Sequence, residues 1–158
     1  MSTTTTIPSA TTGASKKVTI SKILVAIDGS DESMDAADYA ISISKKYNAE
    51  LYALHVIRAD VDLFGPHETS EFMTRMRNEG EKYLNKVKLN ANEINIQIKT
   101  EIISSINIAG GIVDYAEENN IDLIVIGTRG RSGFKKLLLG SVASHVVMYA
   151  HCPVMAVK

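Results

Sequence analysis

The sequence predicts a single α/β domain, in which an open sheet of five parallel strands in the order 3-2-1-4-5 has helices on both faces. Strand-like apolar runs alternate with amphipathic segments from Lys22 onward, which is typical of crossovers between parallel strands. The runs at 22–28 and 122–127 are apolar along most of their length, as in strands buried on both faces. With 158 residues and 45% hydrophobic content, the chain is long enough for one domain with a sizeable core.

The first strand and the first helix follow from residues 22–47. The run KILVAID (22–28) predicts the strand. Ser30 and Ser33 are candidate N-caps and Asn48 is a candidate stop, so a helix is predicted between them. The predicted packed face of this helix consists of Ala37, Ala40, Ile41, Ser44 and Tyr47.

A second strand and a long helix come next. The run ELYALHVI (50–57) predicts the strand, and a loop with Gly65 and Pro66 leads into the helix. Gly80 is expected to weaken this helix slightly. The predicted packed face includes Phe72, Met73, Met76, Tyr83 and Val87. The methionines on this face are expected to fill the core rather than to form a binding surface.

The third strand differs from the others. In INIQIKTEI (94–102), Ile94, Ile96 and Ile98 alternate with polar residues, so only one face is apolar. This pattern predicts a strand at the edge of the sheet.

The remaining elements complete the alternation. Residues 106–119 predict a helix despite Gly110 and Gly111, and DLIVIG (122–127) predicts the fourth strand. The last strand is predicted from PVMAV (153–157). The helix before it is marked by Val142, Val146, Val147 and Ala150.

The strand order follows from the handedness of the connections. Because crossovers between parallel strands are right-handed, a reversal of direction after the third strand makes the first and fourth strands neighbours. This order places the polar-faced third strand at an edge. It also creates a switch point between the first and fourth strands, where open sheets bind ligands beyond the carboxyl ends of their strands.

Two turns with glycine converge on this switch point, DGS at 28–30 and GTRG at 127–130. Gly140 followed by Ser141 opens the last helix, and the N–H groups and positive dipole at a helix N-terminus favour a phosphate. Cations on the connecting segment add charge attraction, and these are Arg129, Arg131, Lys135 and Lys136. The sequence therefore predicts a site for a di- or triphosphate.

Two other phosphate motifs do not fit this sequence. G-x-x-x-x-G-K-[ST] does not occur, and Gly127, Gly130 and Gly133 have the wrong spacing for G-x-G-x-x-G. One glycine pair in a loop is more often an ordinary turn. Its combination with Gly140 and Ser141 at a helix start, beside the switch point, favours the phosphate site.

The spacing Gly127-x2-Gly130-x9-Gly140-Ser141 matches G-2x-G-9x-G-[S/T], the nucleotide signature of the universal stress protein family. The sequence resembles this family from Lys22 to Val157, including ILVAIDGS, LHVI, AEENNIDLIVIGTRGRSG, LLLGSVASHVV and CPVMAV. The resemblance implies the adenine nucleotide alpha hydrolase-like fold, ATP as the ligand and a homodimer.

The resemblance also implies roles for individual residues. It places the phosphates at Gly127, Thr128, Arg129, Gly130, Gly140, Ser141 and Val142. It places Asp28 at the ribose or at a metal ion, with Mg²⁺ as a candidate companion of the nucleotide. The adenine is implied beside Ala26, Ile27 and Val56. From position alone, Asp28 has a second interpretation, because an Asp after a strand often caps the next turn.

Three functions are compatible with this pattern. The leading one is an ATP-binding regulatory or stress-response protein that is non-catalytic or hydrolyses ATP very slowly, because efficient phosphoryl transfer needs more positioned groups than the sequence offers. The second is a slow Mg²⁺-dependent ATPase or phosphotransferase that uses Asp28 and Ser141. The third is a nucleotide-free homodimeric interaction module that pairs through the short apolar strand at Val154–Val157.

Composition limits partners and location. Seventeen basic and eighteen acidic residues give a net charge of -1, which does not favour nucleic acid or an anionic membrane. The apolar runs are far shorter than the roughly 20 residues of a spanning helix, so we expect a soluble protein. The single Cys152 fits the cytoplasm. Residues 1–19, rich in Ser and Thr, are predicted to be a disordered tail without the pattern of a secretory signal, and 20–158 to be the domain.

The other chemically active side chains are expected to be structural. No metal site is predicted, because the histidines lack the spacing of helical ligands. They are His55, His67, His145 and His151. His145 is expected to pack on its helix or to lie on the surface, and Cys152 to be structural rather than nucleophilic.

Overall fold

The computed structural model describes residues 17–59, 66–130 and 139–158, and it describes their side chains except those of 66–69. Of the predicted tail, residues 1–16 lie outside the described part. The elements are β1 (Lys22–Ala26), α1 (Asp31–Tyr47), β2 (Glu50–Arg58), α2 (Pro66–Glu93), β3 (Ile98–Ser105), α3 (Ile108–Glu118), β4 (Leu123–Gly127), α4 (Ser141–Tyr149) and β5 (Val154–Val157).

The strands form one parallel sheet in the order β3-β2-β1-β4-β5, which confirms the predicted topology. In the centre, Ile23 of β1 lies between Leu51 of β2 and Leu123 of β4. β1 ends at Ala26 and β4 at Gly127, so their carboxyl ends flank the predicted switch point.

Two apolar layers cover the sheet, because successive strand residues point to opposite faces. Ile23 and Val25 of β1 pack with residues of α1 and α2. Leu24 and Ala26 pack with residues of α3 and α4. β4 is buried at every position, as expected for a central strand between two helical layers.

α1 begins after the first of its two candidate N-caps and ends at the predicted stop. The Ser30 side chain accepts a hydrogen bond from the Ser33 N–H, which makes Ser30 the N-cap. Asn48 ends the helix with a left-handed φ of 52°, and its N–H donates to the Ser44 carbonyl. Ser33 is buried inside the first turn, where its hydroxyl donates to the Ser30 carbonyl. These contacts fix the start of α1 directly after Asp28.

The third strand starts later than predicted. β3 begins at Ile98 rather than at residue 94, because α2 continues to Glu93 and the chain then turns through Asn95, whose φ is 60°. Ile94 and Ile96 pack against the core beside α1 and α2. Their alternation therefore reflects an apolar turn and not strand pairing, whereas the predicted edge position of the strand is correct.

Two residues assigned to packed helix faces are exposed, which corrects the prediction. Tyr47 is 53% exposed at the end of α1, and Val147 is 47% exposed although its neighbour Val146 is fully buried.

The third helix begins at Ile108 after the N-cap Asn107. No helix in the described ranges is long and apolar enough to cross a bilayer.

Candidate functional site

A cavity of about 360 Å³ opens at the carboxyl ends of β1 and β4. The residues to which the family resemblance gave a role toward the ligand all line it, namely Ala26, Ile27, Asp28, Val56, Gly127, Thr128, Arg129, Gly130, Gly140, Ser141 and Val142. Residues from four separate segments of the chain thus meet at the switch point of the sheet.

The predicted cations are only partly described. Arg129 lines the cavity and is exposed to solvent. Arg131, Lys135, Lys136 and Gly133 lie outside the described residues. The described part of the site therefore contributes one of the four predicted cations.

The N-terminus of α4 points toward the cavity without a side-chain cap. Gly140 is its N-cap residue and makes no side-chain hydrogen bond. In contrast, Ser30 caps α1 and Asn107 caps α3 through their side chains. The first N–H groups of a helix lack intrahelical partners and carry its positive dipole end. An anion in the cavity is well placed to accept hydrogen bonds from α4.

A short chain of backbone hydrogen bonds holds this helix start in place. The Gly140 N–H donates to the Thr128 carbonyl over 2.6 Å, and the Thr128 N–H donates to the Val157 carbonyl over 2.7 Å. The end of β4, the end of β5 and the start of α4 are thereby joined at one side of the cavity.

Asp28 uses its two carboxylate oxygens differently. Oδ1 accepts hydrogen bonds from the Ser30 N–H, over 2.9 Å, and from the Ser30 hydroxyl. Oδ2 lies opposite Gly130, where a Cβ atom would come within 2.7 Å of it. One oxygen therefore shapes the turn before α1, as the capping interpretation predicts. The other faces the crevice, where a hydroxyl group or a divalent cation suits it better than a phosphate.

The turn after Asp28 and the end of β4 both depend on glycine. Gly29 has a φ of 82°, which side chains rarely adopt. A Cβ atom on Gly127 would lie 2.8 Å from the backbone carbonyl carbon of Glu32 in the first turn of α1. Glycine at 127 is therefore required for the close packing of α1 on β4, in addition to any role toward a ligand.

β2 extends beyond the end of β1 at the opposite side of the cavity. The Ile27 N–H donates to the Leu54 carbonyl over 2.9 Å, just after the last paired residue of β1. Because alternate residues of a strand direct their main-chain groups to the same side, the N–H and C=O of Val56 point past the end of β1. Val56 lines the cavity, so it presents a donor and an acceptor there.

The sequence did not identify several residues of the cavity wall. Phe72 and Met76 of α2 line it, although Met76 was expected to fill the core. Ile108 and Ile112 of α3 line the wall as well. The remaining lining residues are Ser33, Leu54, His55, Ile57, Arg58, Ile126 and Ala143. Helical spacing shows that a residue faces inward but not whether it meets the core or a cavity, so no signal in the sequence separates these residues.

Other reactive side chains have structural contacts. His145 packs on Tyr149 with ring centroids 4.4 Å apart, and His151 lies 3.0 Å from the Ile121 carbonyl. Cys152 packs against the core beside α3 and α4, and burial raises the pKa of its thiol. His67 lies outside the residues whose side chains are described. In the described ranges, no three His, Cys, Asp or Glu side chains are grouped to hold a metal ion.

Together, the parallel sheet with helices on both faces and the cavity at its switch point define a doubly wound α/β protein. The chain belongs to the universal stress protein family, whose sequence model matches residues 19–158. A universal stress protein of Methanocaldococcus jannaschii is 43% identical over 139 residues, which are 87% of this chain and 81% of the relative. One from Bacillus subtilis is 40% identical over 146 residues, 87% of this chain and 98% of the relative.

Solved structures show the same relationship. The universal stress protein UspA from Lactobacillus plantarum is similar with a TM-score of 0.82 and 28% identity, over 90% of this chain and 100% of that one. It has the same fold as this chain, the adenine nucleotide alpha hydrolase-like fold, which the family resemblance of the sequence implied.

Three more distant structures contain bound nucleotides. One from Archaeoglobus fulgidus holds dAMP (19% identity, TM-score 0.63, 90% of this chain and 100% of that one). One from Arabidopsis thaliana holds AMP, with 19% identity and a TM-score of 0.64 over 87% of this chain and 91% of that one. A third universal stress protein is in complex with cAMP, with 24% identity and a TM-score of 0.65 over 89% of this chain and 98% of that one. At these identities the likeness concerns the fold.

Proposed function

We propose that this chain binds ATP or a closely related adenine nucleotide in the switch-point cavity and acts as a nucleotide-dependent regulatory or stress-response protein. The observation that carries the proposal is the meeting of three complementary groups in one cavity. These groups are the uncapped N-terminus of α4, the Asp28 carboxylate and the main chain of Val56.

The phosphates are assigned to the α4 end of the cavity. Ser141 and Val142 begin the helix, and its N–H groups and dipole favour an anion. Arg129 adds a positive charge on the same wall. Gly127, Thr128 and Gly130 form the turn beside it, and a bare backbone there lets phosphate oxygens approach closely.

The ribose is assigned to Asp28, whose Oδ2 faces the crevice. A carboxylate beside phosphates is repulsive unless a hydroxyl or a cation lies between them, so Asp28 fits the sugar or a Mg²⁺ ion that accompanies the nucleotide. When bound, such an ion would neutralise part of the negative charge of the phosphates.

The base is assigned to the wall beside Ala26, Ile27 and Val56. An adenine carries an amino donor near a ring-nitrogen acceptor, which complements one C=O and one N–H. Guanine has an oxygen acceptor in place of the amino group, so the Val56 carbonyl disfavours it. Apolar side chains of α2 and α3 border the same space and suit a flat aromatic ring.

Structural neighbours support an adenine nucleotide as the ligand. Universal stress proteins with the same fold have been solved with AMP, dAMP and cAMP. The shared base in these three ligands is adenine. For this chain we take the triphosphate as the leading candidate, because the spacing Gly127-x2-Gly130-x9-Gly140-Ser141 matches the family signature from which ATP was inferred.

A regulatory role is favoured over efficient catalysis. Among the described lining residues, Asp28 has the only carboxylate. Efficient phosphoryl transfer also needs a residue that orients the nucleophile and a positioned cation. A slow Mg²⁺-dependent ATPase or phosphotransferase is the second candidate function. It is favoured by the presence of the Asp28 carboxylate and the Ser141 hydroxyl in the lining of one cavity.

We also propose that the domain at 20–158 works as a homodimer in the cytoplasm, with copies joined through β5. β5 is an edge strand, paired on one side with β4. Large apolar side chains are exposed on it and at the end of α4, namely Met148, Tyr149 and Met155. An apolar edge of this kind is suited to pairing with a second copy. The same pairing through β5 is what the alternative function, a nucleotide-free homodimeric interaction module, requires.

Ser141→Asp tests the assignment of the phosphates. A carboxylate at the first position of α4 interacts favourably with the helix dipole, so the variant should melt at the wild-type temperature or above it. The same charge repels a phosphate at this helix end. We expect ATP affinity, measured by equilibrium dialysis, to fall at least about tenfold, or 1.4 kcal/mol.

Ser42→Asp is the matched control, because Ser42 is exposed in the middle of α1 and does not line the cavity. It should bind ATP like the wild type. Equal affinity in Ser141→Asp and in the wild type would remove the proposed phosphate site, and no ATP binding by the wild type would remove the proposed function.

A further inference from the structure

His55 stands where β1 and β2 stop pairing. Its side chain is buried, and its Nδ1 lies 2.7 Å from the Ile27 carbonyl oxygen. Because a carbonyl oxygen only accepts, Nδ1 carries the proton and donates this hydrogen bond. Had the parallel ladder continued by one rung, the donor to the Ile27 carbonyl would have been the Val56 N–H. The imidazole of His55 takes that place.

We propose that His55 is a positioning residue that ends the β1–β2 ladder and so keeps the Val56 main chain directed into the cavity for the base of the ligand. This inference rests on the nucleotide-binding function proposed above. His55 satisfies the Ile27 carbonyl from the side chain, and the Val56 N–H is therefore not drawn to it. In the part of the chain that the structure describes, no backbone hydrogen bond joins Val56 to Ile27.

α2 is shaped around the His55 ring. A Cβ atom on Gly80 would overlap with Cδ2 of the imidazole, so the helix backbone packs directly on the ring. A glycine inside a helix is destabilising relative to alanine. Its presence in this 28-residue helix is explained by the space that the ring needs.

Tyr83 holds the ring from another side and extends the contact to the turn after β1. The two rings meet edge to face, with centroids 5.9 Å apart and planes at 66°. A Cβ atom on Gly29 would overlap with the ring of the same Tyr83. The imidazole is thus fixed between Gly80 and Tyr83, and Tyr83 also covers the turn that leads to the Asp28 carboxylate.

The chemistry of the donor distinguishes positioning from simple space filling. A phenylalanine at position 55 fills similar space but cannot donate a hydrogen bond. The Ile27 carbonyl would then be buried without a donor, which is unfavourable because its hydrogen bonds to water are lost and not replaced. The Val56 N–H is the next donor along the ladder, so its pairing with Ile27 relieves this cost and removes the donor from the base site.

The test compares His55→Phe and His55→Asn, with ATP and inorganic tripolyphosphate as the ligands. Tripolyphosphate carries phosphates without a base. In His55→Phe we expect ATP affinity to fall at least about tenfold and tripolyphosphate affinity to stay within about twofold. His55→Asn should recover most of the ATP affinity, because its amide nitrogen donates from nearly the position of Nδ1.

Amide hydrogen exchange of the ligand-free protein gives a second readout that does not depend on nucleotide. The Val56 amide should exchange at least about tenfold more slowly in His55→Phe than in the wild type, because it becomes part of the ladder. If His55→Phe does not fold, Gly80→Ala displaces the same ring and should reduce ATP affinity selectively. Asn78→Ala, at an exposed position of the same helix, should not.

Equal losses for ATP and tripolyphosphate in His55→Phe would overturn the inference, as would unchanged ATP affinity or unchanged Val56 exchange. Failure of the proposed function looks different. In that case the wild-type protein does not bind ATP, and the exchange of Val56 in the ligand-free variants still decides whether His55 ends the ladder.

Discussion

At the scale of single residues, Asp28 serves the fold and the candidate site at the same time. One oxygen accepts from Ser30 and orders the turn into α1, and the other faces Gly130 across the crevice. The turn itself requires Gly29, whose φ is positive. A residue with both tasks cannot be replaced without disturbing the helix start, so Ser141 is the cleaner position at which to test the ligand.

Cys152 provides a prediction for a residue that we consider structural. Burial raises the pKa of its thiol, and the carboxylate of Asp122 acts in the same direction. The thiolate is the reactive form, so less of it is present at a given pH than in an unfolded chain. At pH 8 we expect alkylation by iodoacetamide to be at least about fivefold slower in the native protein than in the guanidinium-denatured chain.

The pH dependence of the alkylation rate should also differ between the native protein and the denatured chain. Because the pKa is raised, the native rate continues to increase at pH values where the rate of the denatured chain has levelled off. A native thiol that reacts as fast as the denatured one at pH 8 would contradict the structural assignment and reopen a nucleophilic role for Cys152.

Sequence patterns singled out those residues of the cavity wall that have a distinctive local requirement. Glycines at turns, the small residues at the start of α4 and the carboxylate after β1 all leave a signature in the sequence. Phe72, Met76 and His55 do not, because an apolar or aromatic side chain at a buried position looks the same whether it meets the core or a cavity. These residues needed the packing of α2 on the sheet to be recognised.

At the scale of elements, the free edge of β5 has a definite polarity. The carbonyls of Pro153 and Val157 accept hydrogen bonds from the β4 side, over 3.0 and 2.7 Å. Since main-chain direction alternates along a strand, the N–H groups of Val154 and Ala156 point away from β4. Met155 lies between them and is 37% exposed. These outward groups are what a second copy would pair with.

Ala156→Pro tests this edge with little effect on the rest of the sheet. Proline removes an outward N–H and is tolerated on an edge strand, whereas all hydrogen bonds to β4 remain. In sedimentation at micromolar concentration, we expect the wild type to be a dimer and Ala156→Pro to be a monomer with an unchanged circular dichroism spectrum. A dimer in both proteins would move the interface elsewhere, and a monomer in both would argue against the homodimer.

The elements also show where local sequence determines structure and where it does not. The end of α1 was predicted to the residue and its start to one of two serines, because Ser30 and Asn48 act through contacts within a few positions of themselves. The start of β3 was misplaced by four residues, from 94 to 98. Whether an alternating apolar segment pairs as a strand depends on its distant neighbour β2, and Ile94 precedes the first paired position, Ile98. Nothing in the alternation itself contains that information.

At the scale of the whole molecule, the chain order creates the site. The reversal of direction after β3 makes β1 and β4 neighbours. General rules of chirality predict this order once the reversal is assumed, and the one-sided apolar pattern of the third predicted strand favours it by requiring an edge position. The cavity then forms where the helical layers of the two faces diverge at the switch point. Its depth depends on how closely α1, α2 and α4 approach, which only the assembled structure shows.

The most direct measurement of the central claim is a calorimetric titration of the full chain with Mg-ATP, after nucleotide carried over from purification has been stripped. We predict saturable heat with one ATP bound per chain, and weaker heat with Mg-GTP because the Val56 carbonyl faces the guanine oxygen. A titration without saturable heat for ATP, in a protein that released no nucleotide on stripping, would contradict the account.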